Sequence, residues 1–234
     1  MIWQQHWRDV LFLHFPVSTK ELAAHLPRQL EVDTFEGQAW LSYIFFRLTL
    51  RPAWLPVVPG VSSLVELNVR TYVRYGARSG IYFLRMYADN QIAILASRLL
   101  TPLRYQLAGM IDQRCTDGIR HIECRPALAH GATLAANVQI AVPSAPAPAL
   151  ADSLDQWLVE RYCLFVETTG GAILAANVEH TPWLVAPIRL SAVDDSLGPS
   201  LGLSLPAAPT LAHYSPGVAA RFNAFHRAKQ QVRS

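Results

Sequence analysis

Apolar and polar residues alternate along much of the chain, and this period-two pattern predicts mainly β structure. The clearest case is the stretch 66–74, which reads Glu-Leu-Asn-Val-Arg-Thr-Tyr-Val-Arg. One face of this predicted strand is apolar except for a threonine. The other face carries an acid, an amide, two guanidiniums and a phenol: Glu66, Asn68, Arg70, Tyr72 and Arg74.

This polar face has two interpretations. It can be a solvated face whose charges form ion pairs with neighbouring strands, or it can line a cavity that binds a carboxylate. Guanidinium groups hold carboxylates through two parallel hydrogen bonds, and a few polar groups within apolar walls are typical of ligand sites. The sequence leaves both interpretations open.

Further strands are predicted where short apolar runs lie between turn residues. They cover two segments within 30–50, then 64–75, 81–88, 103–114, 119–125, 132–142, 162–168 and 173–178. Turns containing glycine are expected to join several of them as hairpins, at 34–37, 76–80, 116–118 and 170–171. The chain after Trp183 is Pro-rich and is expected to form edge structure.

Four short helices are predicted from capping residues, breakers and periodicity. They begin after a capping box at Ser18 and Glu21, after Asp89 or Asn90, near Leu154 and near Gly217. Parallel strand–helix–strand alternation is absent from the pattern, so an antiparallel barrel or twisted sheet is expected. The one candidate linker, 143–148, is short, and a single domain over residues 1–234 is predicted.

The composition, 51% hydrophobic and 16% charged, fits a chain with a sizeable core and excludes wholesale disorder. A net charge of +3 and the lack of basic runs with interleaved aromatics argue against a nucleic-acid partner. The basic residues are 18 arginines and only two lysines, Lys20 and Lys229. This excess fits carboxylate recognition, but a general composition bias toward Arg, Ala and Leu is the preferred explanation of the count.

The cysteines and the hydropathy of the chain limit the cellular compartments that are expected. Cys115, Cys124 and Cys163 have no Cys-x-x-Cys spacing, so neither a disulfide framework nor a zinc site is expected, and no histidine pairing suggests a metal. The N-terminus lacks the apolar core of a signal peptide, and Arg98 interrupts the longest apolar run. A cytoplasmic protein without a membrane partner or cofactor is expected; a homo-oligomer is left open.

Six blocks of sequence resemble the YqjF-like family of unknown function. They are 33–40, 66–73, 80–83, 161–164, 179–183 and 213–216, and they cover nearly the whole chain. The block Glu-Leu-Asn-Val-Arg-Thr-Tyr-Val is the most specific. The family is similar in fold to acetoacetate decarboxylase, and this resemblance implies an antiparallel barrel or cone of strands around an interior cavity. It implies no particular reaction.

The resemblance also implies which decarboxylase residues are missing. The run that carries the Schiff-base lysine of the decarboxylase falls on residues 102–106, where Tyr105 and Gln106 replace two lysines. Its catalytic glutamate falls near Asn68 or Glu66. An iminium needs an amine, so decarboxylation through a Schiff base is not expected here.

Two functional hypotheses remain. In the first, the cavity binds a carboxylated or aromatic molecule without turnover. In the second, the chain is a cofactor-free lyase or isomerase acting on a keto or enol acid, with Glu66 as base, Tyr105 as oxyanion donor and Arg70 as carboxylate clamp. The expected ligand-binding residues are Asn68, Arg70, Tyr72, Arg104, His180 and Trp183. His180 alternatively serves only to hold the backbone at the Thr-Pro-Trp corner that follows it.

Overall fold

The structure is a computed structural model that describes residues 3–52, 63–115, 118–127, 131–139 and 145–229. The helices are α1 (Thr19–Ala23), α2 (Gln91–Leu100), α3 (Leu154–Val159) and α4 (Leu197–Ser200). The strands are β1 (Trp3–Val17), β2 (Glu31–Val32), β3 (Thr34–Phe35), β4 (Gln38–Pro52), β5 (Ser63–Tyr75), β6 (Arg78–Ala88), β7 (Tyr105–Arg114), β8 (Ile119–Pro126), β9 (Leu134–Gln139), β10 (Ala147–Pro148), β11 (Cys163–Glu167), β12 (Ile173–Glu179), β13 (Leu184–Pro187), β14 (Arg189–Asp195), β15 (Leu211–Phe222) and β16 (His226–Arg227). The prediction of a mainly β chain with short helices is confirmed.

The strands pair into a ring with a second layer attached. The order β6-β11-β12-β15-β1-β4-β5 returns to its start, because β5 also pairs with β6. From β6 the path continues outward through β7, β8, β9 and β14. Most pairings are antiparallel, as the sequence predicts.

One hydrophobic core lies in the ring interior, and another lies between the ring and this outer layer. The interior core gathers residues such as Phe12, Ile44 and Trp183. The second core joins the opposite faces of β1, β4 and β5 to β8 and β9, and it contains Leu67 and Val69. Both faces of β5 are therefore buried, one against the outer layer and one toward the ring interior.

Capping residues explain where the helices begin. The side chain of Asn90 accepts hydrogen bonds from the amides of Ile92 and Ala93, and Ser153 caps α3 in the same way. Ser18 accepts from the Glu21 amide, as predicted. The Glu21 carboxylate, however, accepts from Ser204 in a distant loop, so the reciprocal half of the capping box does not form.

The prediction of a C-terminal helix over 217–230 is wrong. The described residues of this segment form the end of β15, then β16, and β15 pairs with β1 from His14↔Leu211 to Trp3↔Phe222. The apolar spacing of Val218 and Phe222 fits a helix turn, but it also fits alternate positions of a strand. The long ladder with β1 decides between them, because it satisfies the backbone polar groups of both strands.

One parallel strand–helix–strand unit interrupts the mainly antiparallel arrangement. β6, α2 and β7 form a parallel unit in which Met86 lies opposite Tyr105, and β6 also runs parallel to β11. One such unit gives no repeating alternation in the sequence, so the pattern did not reveal it. Two other predicted features, the 116–118 turn and the 143–148 linker, lie partly outside the described residues.

Within the described ranges no helix has the length and apolar character needed to cross a membrane.

Candidate functional site

Strand β5 brings three polar side chains to the ring interior, where they border a cavity of about 610 Å³. Glu66, Asn68 and Arg70 are 2%, 6% and 7% exposed, respectively. Leu67 and Val69, between them, face the outer core. The polar face is thus buried, and the alternative of a solvated surface does not hold for these three residues.

Glu66 is an uncharged acid at neutral pH. Burial raises the pKa of Glu66 to about 8, although hydrogen bonds from Asn68 and Tyr105 partly oppose this shift. The Tyr105 hydroxyl donates to Glu66 Oε1 at 3.1 Å, while Glu66 Oε2 has no partner among the described residues. A protonated carboxyl group can therefore offer one further hydrogen bond.

Tyr105 reaches Glu66 because of the parallel unit described above. Strand β7 begins at Tyr105 beside Met86, and α2 covers this end of the cavity with Ala93 and Ile94. Burial, followed by the charge of Glu66, raises the pKa of Tyr105 well above its usual value. Tyr105 is therefore a neutral donor whose proton is directed at Glu66.

Arg70 is a buried guanidinium without a carboxylate partner in the described part of the chain. Its Nη2 donates to the carbonyl oxygen of Leu158 at 2.9 Å, and its Nε has no acceptor. The Arg70 Cζ lies 5.9 Å from the Phe12 ring centroid and 5.7 Å from that of Tyr72. Aromatic faces and one carbonyl offset only part of the cost of burying this charge.

Tyr72 is on the same face of β5 but lies outside the cavity lining, because α3 covers it. Its ring packs on Trp157 with centroids 4.6 Å apart, and its hydroxyl donates to the Leu158 carbonyl at 2.9 Å. Tyr72 therefore accepts from Ser42, which in turn accepts from Nδ1 of His14. This buried chain fixes the carbonyl that also binds Arg70.

The remaining predicted residues divide into two groups. His180 and Trp183 border the cavity, whereas Arg104 is exposed and lies outside it. Nδ1 of His180 donates to the carbonyl of Thr181 at 2.7 Å, and burial lowers the His180 pKa. His180 therefore combines the backbone-holding role with a position at the cavity wall, as a neutral ring.

Arg161 is a cavity residue that the sequence reasoning did not select. Its Nη1 lies 3.3 Å from an Asp33 carboxylate oxygen, its Nε donates to the Trp157 carbonyl, and its Nη2 is buried without a partner. Burial lowers the pKa of Arg161. Its position in a family block, directly after α3, was the available signal.

Unsatisfied polar atoms concentrate around the cavity. Within the described ranges, seven buried side-chain nitrogen or oxygen atoms have no hydrogen-bond partner, and four of them belong to cavity-lining residues. These residues are Glu66, Asn68, Arg70 and Arg161. Native proteins leave few such groups unsatisfied, and the cavity wall is where unpaired polar atoms concentrate in the described ranges.

The described part of the chain contains neither a cluster of metal ligands nor a buried lysine. No cluster of three or more His, Cys, Asp or Glu side chains there could hold a metal ion. Lys20 and Lys229 are both exposed. Lys20 lies in α1 as predicted, whereas Lys229 follows β16 and is not in the predicted helix.

Comparisons with known proteins agree with this fold. The model of the DUF2071 family, described as an uncharacterized conserved protein, matches residues 4–219. The chain is 40% identical over 215 residues to the uncharacterized protein YqjF of Bacillus subtilis strain 168. The alignment covers 92% of this chain and 87% of YqjF. The resemblance drawn from the six sequence blocks is confirmed.

Solved structures with a similar fold include acetoacetate decarboxylase relatives. An acetoacetate decarboxylase-like enzyme from Sphingomonas wittichii RW1 superposes with a TM-score of 0.66 at 13% identity, over 97% of this chain and 93% of that one. The enduracididine biosynthesis enzyme MppR, complexed with pyruvate, gives 0.63 at 15% identity over 97% and 90%. At such low identity the likeness shows the fold alone.

Proposed function

The chain belongs to the DUF2071 family of uncharacterized conserved proteins, and we propose that it binds a small carboxylated molecule in its cavity without Schiff-base chemistry. The observation that carries the proposal is Arg70, a buried guanidinium at the cavity wall with no carboxylate partner in the described part of the chain. A ligand carboxylate can supply that partner through charge-assisted hydrogen bonds.

The walls of the cavity support a ligand with an apolar or aromatic body. Aromatic side chains from β1, β4 and β6 border the space, among them Trp7, Phe12, Phe46 and Phe83, and Trp183 stacks on Trp7 at 5.7 Å. Binding sites commonly combine such walls with a few polar groups that fix orientation. The proposal includes no cofactor, nucleic acid or membrane partner.

Titration calorimetry with phenylpyruvate, pyruvate and decanoate, each beside its methyl ester, tests the proposal. At least one acid should bind, and its uncharged ester should bind much more weakly. Arg70→Leu should weaken acid binding by about 2 to 5 kcal/mol, because it removes one partner of a buried ion pair. Arg189→Leu, which removes an exposed arginine of β14, is the matched control for net charge.

Equal binding of acid and ester, or equal effects of the two arginine variants, overturns the carboxylate anchor. Native mass spectrometry of gently purified protein adds an independent measurement. A retained carboxylic acid supports the proposal, whereas a retained cationic ligand contradicts it.

A cofactor-free enzyme acting on a keto or enol acid is the second candidate. The observation that favours it is the uncharged Glu66 carboxyl group in the same cavity as Arg70. A group whose pKa is near 8 can exchange a proton with a bound substrate close to neutral pH. Proton magnetic resonance of phenylpyruvate in deuterated buffer tests this. Enzyme-dependent loss of the signal from the C3 methylene protons, next to the ketone, supports it if Glu66→Gln abolishes this loss, and exchange at the buffer rate rejects it.

We also propose a cytoplasmic location, because Cys115, Cys124 and Cys163 are all free thiols.

A further inference from the structure

Two guanidiniums share one end of the cavity. The Cζ atoms of Arg70 and Arg161 lie 5.7 Å and 5.1 Å from the centroid of the same Tyr72 ring. Asp33 is 3.3 Å from Arg161 and 3.9 Å from Arg74, so one carboxylate already serves two arginines. The positive charge at this end therefore exceeds the negative charge of Asp33.

The same end also has donors without acceptors. Arg70 Nε and Arg161 Nη2 are buried and have no protein partner in the described ranges. A carboxylate has two oxygens with about four acceptor positions, so one carboxylate placed between the two guanidiniums has enough acceptors for both. This charge-assisted arrangement suits an anion better than any neutral group.

The other end of the cavity is polar but uncharged. Glu66 holds its proton at neutral pH, accepts from Tyr105 through Oε1 and leaves Oε2 without a partner. A protonated carboxyl group donates through its free hydroxyl, so a carbonyl oxygen is a suitable partner. A second anion would be buried there without a cation, which is costly.

The two ends are separated by the length of an extended strand. Glu66 and Arg70 are four residues apart on β5, which corresponds to about 13 Å between their Cα atoms. Apolar side chains such as Ile44, Phe83 and Ile94 line the same cavity. A molecule as short as pyruvate spans only a small part of this distance.

We infer that the preferred ligand is an elongated keto monocarboxylate, with its carboxylate between Arg70 and Arg161, an apolar chain along the cavity walls and its ketone oxygen at Glu66. This rests on the proposed function, in that Arg70 is taken as the carboxylate anchor. It adds Arg161 as a second anchoring arginine and a minimum length for the ligand. It also adds an uncharged hydrogen-bond acceptor, the ketone of the ligand, at the Glu66 end.

Three straight-chain acids of ten carbons serve as probes in titration calorimetry at pH 7: decanoate, decanedioate, and the decanoate that carries a ketone next to its terminal methyl group. The keto acid should bind about 5- to 10-fold more tightly than decanoate, the effect of roughly one additional hydrogen bond. Decanedioate should bind most weakly of the three. Pyruvate should bind more weakly than the keto acid.

Variants test each end separately. Arg161→Leu should weaken all monocarboxylates about 10- to 100-fold, and Arg161→Lys, which keeps the charge without the planar fork, should weaken them less. Glu66→Gln keeps a donor at the far end and should retain the keto preference. Glu66→Leu should bring the affinity ratio of keto acid to decanoate close to one. Arg189→Leu should change none of these values.

Thermal unfolding of every variant separates loss of binding from loss of fold, and the affinity ratio is measured within one variant. The inference is overturned, and the proposed function stands, if decanoate binding depends on Arg70 but the keto acid gains nothing. The same holds if Arg161→Leu and Glu66→Leu have no effect on binding. If no acid shows dependence on Arg70, both are overturned.

Discussion

Glu66 shows how position alone changes the chemistry of a residue. On an exposed strand it would be an ordinary carboxylate, but at 2% exposure burial raises its pKa to about 8, although the hydrogen bond from Tyr105 opposes this shift. The consequence for stability follows from linkage. The folded state keeps the proton up to about pH 8, whereas the unfolded chain releases it near the ordinary glutamate pKa of 4.5.

The contribution of protonated Glu66 to the free energy of unfolding is therefore fully present below about pH 4.5. It is lost progressively as the pH rises through about 8. Glu66→Gln replaces the protonated acid by an amide of the same shape that does not titrate. We expect the free energy of unfolding of Glu66→Gln, relative to the native chain, to increase between pH 5 and pH 9 in urea titrations. Glu31→Gln, at an exposed position, should show no such trend. A constant difference across this range would contradict a raised pKa.

Arg70 and Arg161 differ in how far the sequence pattern predicts the direction of their side chains. Arg70 is on the polar face of a clear alternating strand, so the sequence predicts which neighbours share its face but not whether that face is buried. Arg161 follows α3 in a short irregular segment, where periodicity carries no direction. The Arg161 Cζ lies 4.0 Å from the centroid of the Trp157 indole ring. This position depends on how α3 packs across the ring of strands.

At the scale of elements, the pairing of β1 with β15 shapes one wall of the cavity. Gly217 lies opposite Arg8 with a φ of +122°, and β1 contains a bulge in which Asp9 has a φ of +52°. A Cβ atom at Gly217 would fall on the carbonyl oxygen of Trp7. The Trp7 ring itself borders the cavity.

Gly217→Ala should therefore destabilise the protein by about 3 kcal/mol or more, since both backbone strain and a clash with the main chain oppose the new methyl group. Gly171→Ala is the matched control, because Gly171 also has a positive φ of +77° but an added Cβ meets nothing within 4 Å. It should cost only about 1 kcal/mol. Urea unfolding gives the two values, and near-ultraviolet circular dichroism reports the Trp7–Trp183 stack. Equal losses in both variants would show that the close approach is unimportant.

At the scale of the whole molecule, both lysines are far from any role as a Schiff base. Lys20 and Lys229 are exposed, so nothing desolvates their ammonium groups. Incubation with acetoacetate followed by borohydride should leave the intact mass unchanged by mass spectrometry. Stoichiometric labelling of either lysine would contradict this prediction.

A positive control can be built into the cavity. Tyr105→Lys alone would place an ammonium beside Glu66, and the resulting ion pair would keep the amine protonated. Combining it with Glu66→Gln removes that carboxylate, and the apolar surroundings should then favour the free amine. The double variant is expected to trap the reagent, and the single variant to trap much less.

The sequence alone determined the mainly β class, three of the four predicted helices and the alternation that gives β5 a polar face. These follow from local physics: side chains alternate along a strand, and Asn90 and Ser153 satisfy free amides at the helix starts. The resemblance in six blocks added the acetoacetate decarboxylase-like fold.

Only the tertiary structure decided which groups meet. The parallel placement of β7 beside β6 brings Tyr105 to Glu66, the packing of α3 covers Tyr72 and adds Arg161, and the ladder with β1 makes a strand of the segment ending at Phe222. Each of these contacts joins residues far apart in the chain, and burial, which sets the charge of Glu66, exists only once they have formed. Local patterns determine the direction of a side chain on its own element, whereas its partners and its pKa depend on elements that the local pattern does not specify.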